Sequence, residues 1–135
     1  MHAAGPDSAA VLIGSDSPTL PVACVQDAFE RLKSVDVVVC PASDGGYCLI
    51  GLRSGIDAVP LFHGLEWSSS RVLDQTVERV RETGLSLGLL PVWYDVDCLA
   101  DVDMLRGHLN ASAVAGVDYG LKFTTEFLAA HTERF

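Results

Sequence analysis

Apolar positions along the chain follow two alternating rhythms. Residues 9 to 13, Ala-Ala-Val-Leu-Ile, form a continuous apolar run halted by Gly14-Ser15-Asp16. Such a run predicts a strand buried on both faces, as strands of parallel sheet are. Val22, Val25, Phe29 and Leu32 then recur at steps of three and four, which predicts an amphipathic helix over Pro21 to Lys33 with Thr19 as its cap. Asp36 to Cys40 is a second apolar run, ended by Pro41, and Tyr47 to Leu52 is a third. The short connection Ala42-Ser43-Asp44-Gly45-Gly46 makes these two an antiparallel pair.

Residues 53 to 66 carry no clear period and predict irregular or short helical structure. Ser68 or Ser69 then caps a helix that turns Val72, Leu73, Thr76, Val77 and Val80 inward until Gly84 stops it. Its outward face, Arg71, Asp74, Glu78, Arg79, Arg81 and Glu82, is solvated. Leu85 to Leu90 predicts a further strand, and Val102, Leu105 and Leu109 mark a short helix beyond it. Asn110 to Gly120 reads as a loop of small residues, and Thr125 to Arg134 as a terminal helix held by Phe127 and Leu128. Alternating strands and helices predict an α/β sandwich with a mostly parallel sheet, one domain over residues 1 to 135.

Composition narrows the function classes. With 49% hydrophobic and 20% charged residues and a mean hydropathy of +0.29, the chain can bury enough apolar surface to fold. A net charge of −9 repels a phosphate backbone, so nucleic acid is not an expected partner. No stretch reaches the roughly twenty apolar residues of a membrane span. Met1 to Pro6 lacks the basic and apolar regions of a secretion signal, so a cytoplasmic location is expected. Cys24, Cys40, Cys48 and Cys98 form no CxxC pair and read as small buried hydrophobes.

Candidate chemistry gathers at the ends of strands. Asp16 directly follows an apolar run, where open α/β sheets place ligands, with Ser15 and Ser17 beside it. It reads equally as a turn or helix-cap residue. Asp95, Asp97, Asp101 and Asp103 are four carboxylates in nine residues with no basic residue before Arg106. An EF-hand is excluded by Ala100 and Arg106 at its diagnostic positions. Asp101 and Asp103 suit the first turn of a helix, and Asp95 a solvated loop. Asp97 would emerge at a strand end, where it and Asp16 can share one hard cation. Asp44-Gly45-Gly46-Tyr47 reads as a turn, or as a loop whose glycines let a ligand approach beside the Tyr47 ring. Trp67 can stack on a sugar or seat the helix that follows; His63 is the one histidine placed to act as a base. Nucleophile-elbow, P-loop and dinucleotide glycine motifs are all missing from the sequence.

Taken together, Gly14-Ser15-Asp16-Ser17-Pro18-Thr19-Leu20-Pro21, Pro41 to Tyr47 with Leu49 to Leu52, Leu61-Phe62 with Trp67-Ser68, and Asp95-Val96-Asp97 with Asp101 resemble a bacterial, DUF2064-like family of glycosyltransferase-like proteins with the GT-A, nucleotide-diphospho-sugar transferase fold. The resemblance implies a Rossmann-like three-layer sandwich in which Asp16 and Asp97 bind Mg²⁺ or Mn²⁺. Ser15, Asp16, Gly45, Gly46, Tyr47 and Trp67 would then bind a nucleotide-sugar donor, and Asp44 is the candidate catalytic residue. Where that family has a threonine and a proline after its Asp-x-Asp, this chain has Cys98 and Leu99, which makes Asp97 a competing helix cap. The family's opening third, a strand and a Gly- and Lys/Arg-bearing loop that hold the nucleotide, has no counterpart before Ala9.

Three functions follow from that resemblance. The first is a metal-dependent glycosyltransferase acting on a small-molecule acceptor. The second is a guanylyltransferase-like nucleotidyltransferase of the same fold. The third is a non-catalytic binding or dimerisation module. The missing first strands leave residues 9 to 13 as an unpaired apolar edge, which predicts a homo-oligomer or a partner segment and weak nucleotide binding by this chain alone.

Overall fold

The computed structural model describes residues 8–131. Met1 to Pro6, read above for a leader, and residues 132 to 134 of the expected terminal helix lie outside the described residues. Strands β1 (Ala10–Ile13), β2 (Val37–Pro41), β3 (Tyr47–Leu52) and β4 (Leu87–Leu89) form one sheet in the order β1-β3-β2-β4. Helices α1 (Val22–Arg31), α2 (Val59–Phe62), α3 (Val72–Glu82), α4 (Leu99–Ala115) and α5 (Lys122–Ala130) complete the described chain.

β2 is buried along its whole length because it lies inside the sheet with helices on both faces. On one face Ala28 of α1 and Leu32 at its C-cap pack on Val38, Cys40, Cys48 and Leu49. On the other, Leu61 of α2 and Val80 of α3 pack on Val37, Val39 and Ile50. The architecture is therefore the expected three-layer α/β sandwich. Gly51 sets the close approach of α1, since a Cβ there would stand 2.8 Å from both Leu32 and Val38 side chains. That approach suits Ala28, so the inward stripe of α1 is Val25, Ala28 and Leu32, while Val22 and Phe29 face solvent.

The sheet is mixed rather than mostly parallel. β3 follows β2 through a tight turn and so runs back against it, then lies antiparallel to β1 as well; the parallel pairing is β2 with β4, Val37 to Val39 against Leu87 to Leu89. β1 is not buried on both faces. It forms the edge of the sheet, with Leu12 66% and Ile13 59% exposed.

Thr19 does not cap α1. Pro21 holds that position without a side-chain bond, and Thr19 is buried, its Oγ1 accepting from Trp93 Nε1 at 3.1 Å. Neither Ser68 nor Ser69 caps α3, which starts from Arg71; Ser69 Oγ instead accepts from Arg71 N at 3.2 Å. α3 otherwise presents Val72, Thr76 and Val80 inward as the period predicts. α4 runs through half of the expected loop because Ala111, Ala113 and Ala115 are strong helix formers. It stops at Gly116 in the left-handed conformation, φ 75°. α5 begins at Lys122, three residues before the predicted start, and Leu128 anchors it while Phe127 is exposed. Arg106 of α4 donates to the carbonyls of Leu128 (2.8 Å) and His131 (3.2 Å), satisfying groups at the end of α5. Among the described residues no helix is long and apolar enough to cross a membrane.

Candidate metal centre

β1 leaves the sheet beside β3, where Gly14 N donates to Cys48 O at 2.9 Å. A Cβ on Gly14 would stand 2.8 Å from Asp16 Oδ1, so a side chain there would make that carboxylate shift. Beyond β4 the chain continues extended along β2. Trp93 N donates to Pro41 O (2.9 Å) and Ser43 N to Trp93 O (3.0 Å), forming a parallel bridge between Ala42 and Trp93. Val96 N then donates to Asp16 O at 2.8 Å, tying the two acid-bearing segments together. Asp95 and Asp97 flank that bond, two residues apart, as side chains sharing one side of an extended segment must be. Asp16, Asp95 and Asp97 thereby each offer a carboxylate oxygen, all within 4.8 Å of one another.

The helix that follows does not compete for Asp97. Cys98 is the N-cap of α4, and Asp101 closes a capping box by accepting from Asp97 N (2.9 Å) and Cys98 N (3.1 Å). Those bonds hold the Asp101 carboxyl below the usual carboxylate range, the Asp97 amide contributing most. Asp103 lies beyond the first turn, exposed and outside the cluster. Cys98 is likewise exposed, unlike buried Cys40 and Cys48.

The Asp44-Gly45-Gly46-Tyr47 segment is the turn between β2 and β3. Asp44 Oδ1 accepts from Gly46 N at 2.9 Å, and Ala42 N donates to Gly46 O at 2.9 Å. Gly45 adopts φ 94°, and what approaches its backbone is the protein itself: a Cβ there would stand 2.1 Å from Ser70 O. This contact brings the Trp67–Ser70 segment against the turn, facing the acids. Ser68 holds a left-handed φ of 65°, uncommon for a residue with a Cβ. The result is an open cavity of about 610 Å³, lined on one side by Asp16, Asp44, Asp95 and Asp97 and on the other by Gly46, Tyr47, Trp67, Ser68 to Ser70 and Val72.

Asp16, Asp97, Asp44, Gly46, Tyr47 and Trp67 from the sequence reading therefore meet in one cavity, although they come from four separate stretches of chain. Ser15 is exposed next to Asp16, and Gly45 lies behind the wall; neither lines it. His63 is exposed at the end of α2, away from the cavity. Asp95 belongs to the cluster although its sequence position reads as solvated loop. Its spacing from Asp97, two residues on an extended stretch, is the signal that places both on one side.

Crowding shows in the acids' proton affinities. Burial, then a hydrogen bond with the Asp44 carboxyl, pushes Asp95 up to about 7. Asp97 is raised by loss of surrounding water and then by Asp16 beside it. Burial raises Tyr47, whose hydroxyl lies 3.5 Å from Thr76 Oγ1. Acids that resist ionisation when packed together favour a bound cation.

A family model described as "uncharacterized protein conserved in bacteria (DUF2064)" matches residues 1–69. The chain belongs to the DUF2064 family. The matched segment of this DUF2064 protein holds Asp16, Asp44, Gly46, Tyr47 and Trp67, while Asp95 and Asp97 lie beyond it. The chain is 30% identical over 107 residues to the 2-phospho-L-lactate guanylyltransferase of Methanopyrus kandleri, covering 79% of this chain and 52% of that protein. It is 40% identical to a solved structure from Desulfovibrio desulfuricans G20, described as a candidate nucleotide-diphospho-sugar transferase, with a TM-score of 0.70 over 76% of this chain and 44% of that one. The DUF2064 chain thus has the nucleotide-diphospho-sugar transferase type of α/β fold and spans about half the length of these relatives.

Proposed function

We propose that this chain carries the metal-binding part of a transferase that moves a sugar from a nucleotide-diphospho-sugar to a small-molecule acceptor. The observation that carries the reading is the convergence of Asp16, Asp95 and Asp97 within 4.8 Å at the strand ends of this fold. Carboxylate oxygens suit hard cations, so Mg²⁺ or Mn²⁺ fits the donor set. Such an ion, when bound, supplies positive charge against the diphosphate leaving group. Asp16, Asp95 and Asp97 hold it, and Gly46, Tyr47 and Trp67 line the space for donor sugar and acceptor. Asp44, oriented by the Gly46 amide, is the candidate base. It takes the acceptor hydroxyl proton as the sugar–phosphate bond breaks, the sugar–acceptor bond forms and the nucleoside diphosphate departs with the electron pair.

Calorimetric titration with Mn²⁺ tests the site. Asp16→Asn and Asp97→Asn should each weaken binding at least about tenfold, the least that disturbing a metal's surroundings costs, while Asp103→Asn leaves it unchanged. Equal losses in all three would sink the assignment. The 30% identity to a guanylyltransferase favours a second reading, transfer of a nucleotide onto a phosphorylated small molecule. The product separates the two: pyrophosphate is released in nucleotidyl transfer and a nucleoside diphosphate in glycosyl transfer. A cytoplasmic location and a partner along β1 complete the proposal.

A further inference from the structure

The cavity is one-sided in charge. Four carboxylates line it, and among the described residues no lysine, arginine or histidine does. Arg71, next to the wall, lies outside the lining with its guanidinium 3.9 Å from Glu66; Arg79 is engaged by the His63 carbonyl and Glu82. One divalent cation neutralises two of the four charges, and a donor's diphosphate is already matched to that cation. Among the described residues that line the cavity, a further anion on the acceptor would meet like charge.

The opposite wall offers different chemistry. Trp67 is 56% exposed, its indole braced by Phe62 at 6.2 Å between ring centroids. Such a face stacks on the C–H side of a sugar ring. Ser69 Oγ is committed to Arg71 N, whereas the Ser68 and Ser70 hydroxyls make no hydrogen bond among the described residues and are open to a ligand's hydroxyls. The left-handed backbone of Ser68 marks a strained residue in this wall, as at many ligand sites.

Building on the transferase reading, we propose that the acceptor is an uncharged polyhydroxyl compound of sugar type, stacked on Trp67, and that Asp44, the lining carboxylate outside the metal cluster, turns away phosphorylated or carboxylated acceptors. The exclusion is electrostatic, so it is reversible by charge removal.

Saturation-transfer NMR on the full chain with Mg²⁺ provides the test, using glucose and glucose 6-phosphate as probes. Glucose should receive saturation and lose it in Trp67→Ala. Glucose 6-phosphate should bind at least about tenfold more weakly, because like-charge juxtaposition costs more than one decade of affinity. Asp44→Asn should narrow that gap. Equal or tighter binding of the phosphate, or no transfer to either sugar, would overturn the proposal. The same spectra without metal keep the two readings apart. If calorimetry finds no Mn²⁺ binding while glucose is still preferred, metal dependence falls and the acceptor class stands.

Discussion

Asp95 holds its proton up to about 7 because it is partly buried against Asp44, with Asp97 and Asp16 close by. In an unfolded chain it would ionise near about 3.9. A folded-state value above the unfolded one means the native protein binds that proton more tightly. The contribution is thus fully present below the unfolded value and lost as pH rises through about 7. Urea unfolding should show a lower midpoint at pH 8 than at pH 5, with Asp95→Asn flattening the difference and millimolar Mg²⁺ restoring stability chiefly at pH 8. An unchanged slope in Asp95→Asn would refute the crowding account. Asp36 has the opposite sign: Ser86 N and Oγ (2.9 and 3.0 Å) and Arg53 hold its carboxyl low, so its contribution disappears only in acid. Asp16 is legible in the sequence because it comes just after an apolar run, and Asp97 because the stretch that carries it leads off from a strand. Asp95 stands two residues before Asp97 on that stretch, and the spacing puts both on one side, but that they meet Asp16 depends on Val96 bonding to Asp16 O, a contact across 80 residues of chain that no local pattern encodes.

At the scale of elements, the turn between β2 and β3 and the start of α3 form one unit. Leu73 N, one of the amides a helix start leaves without an internal partner, donates to Gly45 O at 2.9 Å. The Ser70 carbonyl meanwhile occupies the space a Gly45 side chain would need. Gly45→Ala should therefore cost at least about 1 kcal/mol in urea unfolding, from the φ requirement alone, and shift Trp67 emission as the wall is pushed away. Gly46→Ala, whose Cβ would meet Asp44 Oδ1 at 3.3 Å, should be milder. If the two variants unfold alike, the Ser70 contact is not what fixes this glycine. α3, β2 and β3 could be read from the sequence because turn residues bound their periodic stretches. Two features could not. Apolar content cannot distinguish an edge strand such as β1 from a covered one, and Asn110 to Ala115 looked like loop although its alanines favour helix.

Across the whole molecule, β1 is the longer of the sheet's two edge strands, β4 being the other. Leu12 and Ile13 are mostly exposed on its two faces, with no lysine, proline or bulge to blunt the edge, and exposed Trp67 lies near Leu12 around a common apolar groove. The net charge of −9 opposes association in general, but none of the carboxylates of the metal cluster lines this groove. Light scattering at micromolar concentration should therefore give a mass above the 14.4 kDa of one chain. Leu12→Lys with Ile13→Lys should return it to monomer, because two like charges on each copy repel an edge-to-edge partner while leaving the pairing of β1 with β3 in place. Unchanged circular dichroism would show that the double variant is folded. A folded wild-type chain that runs as a clean monomer would refute self-association through β1, and with it the partner along that strand in the proposed function.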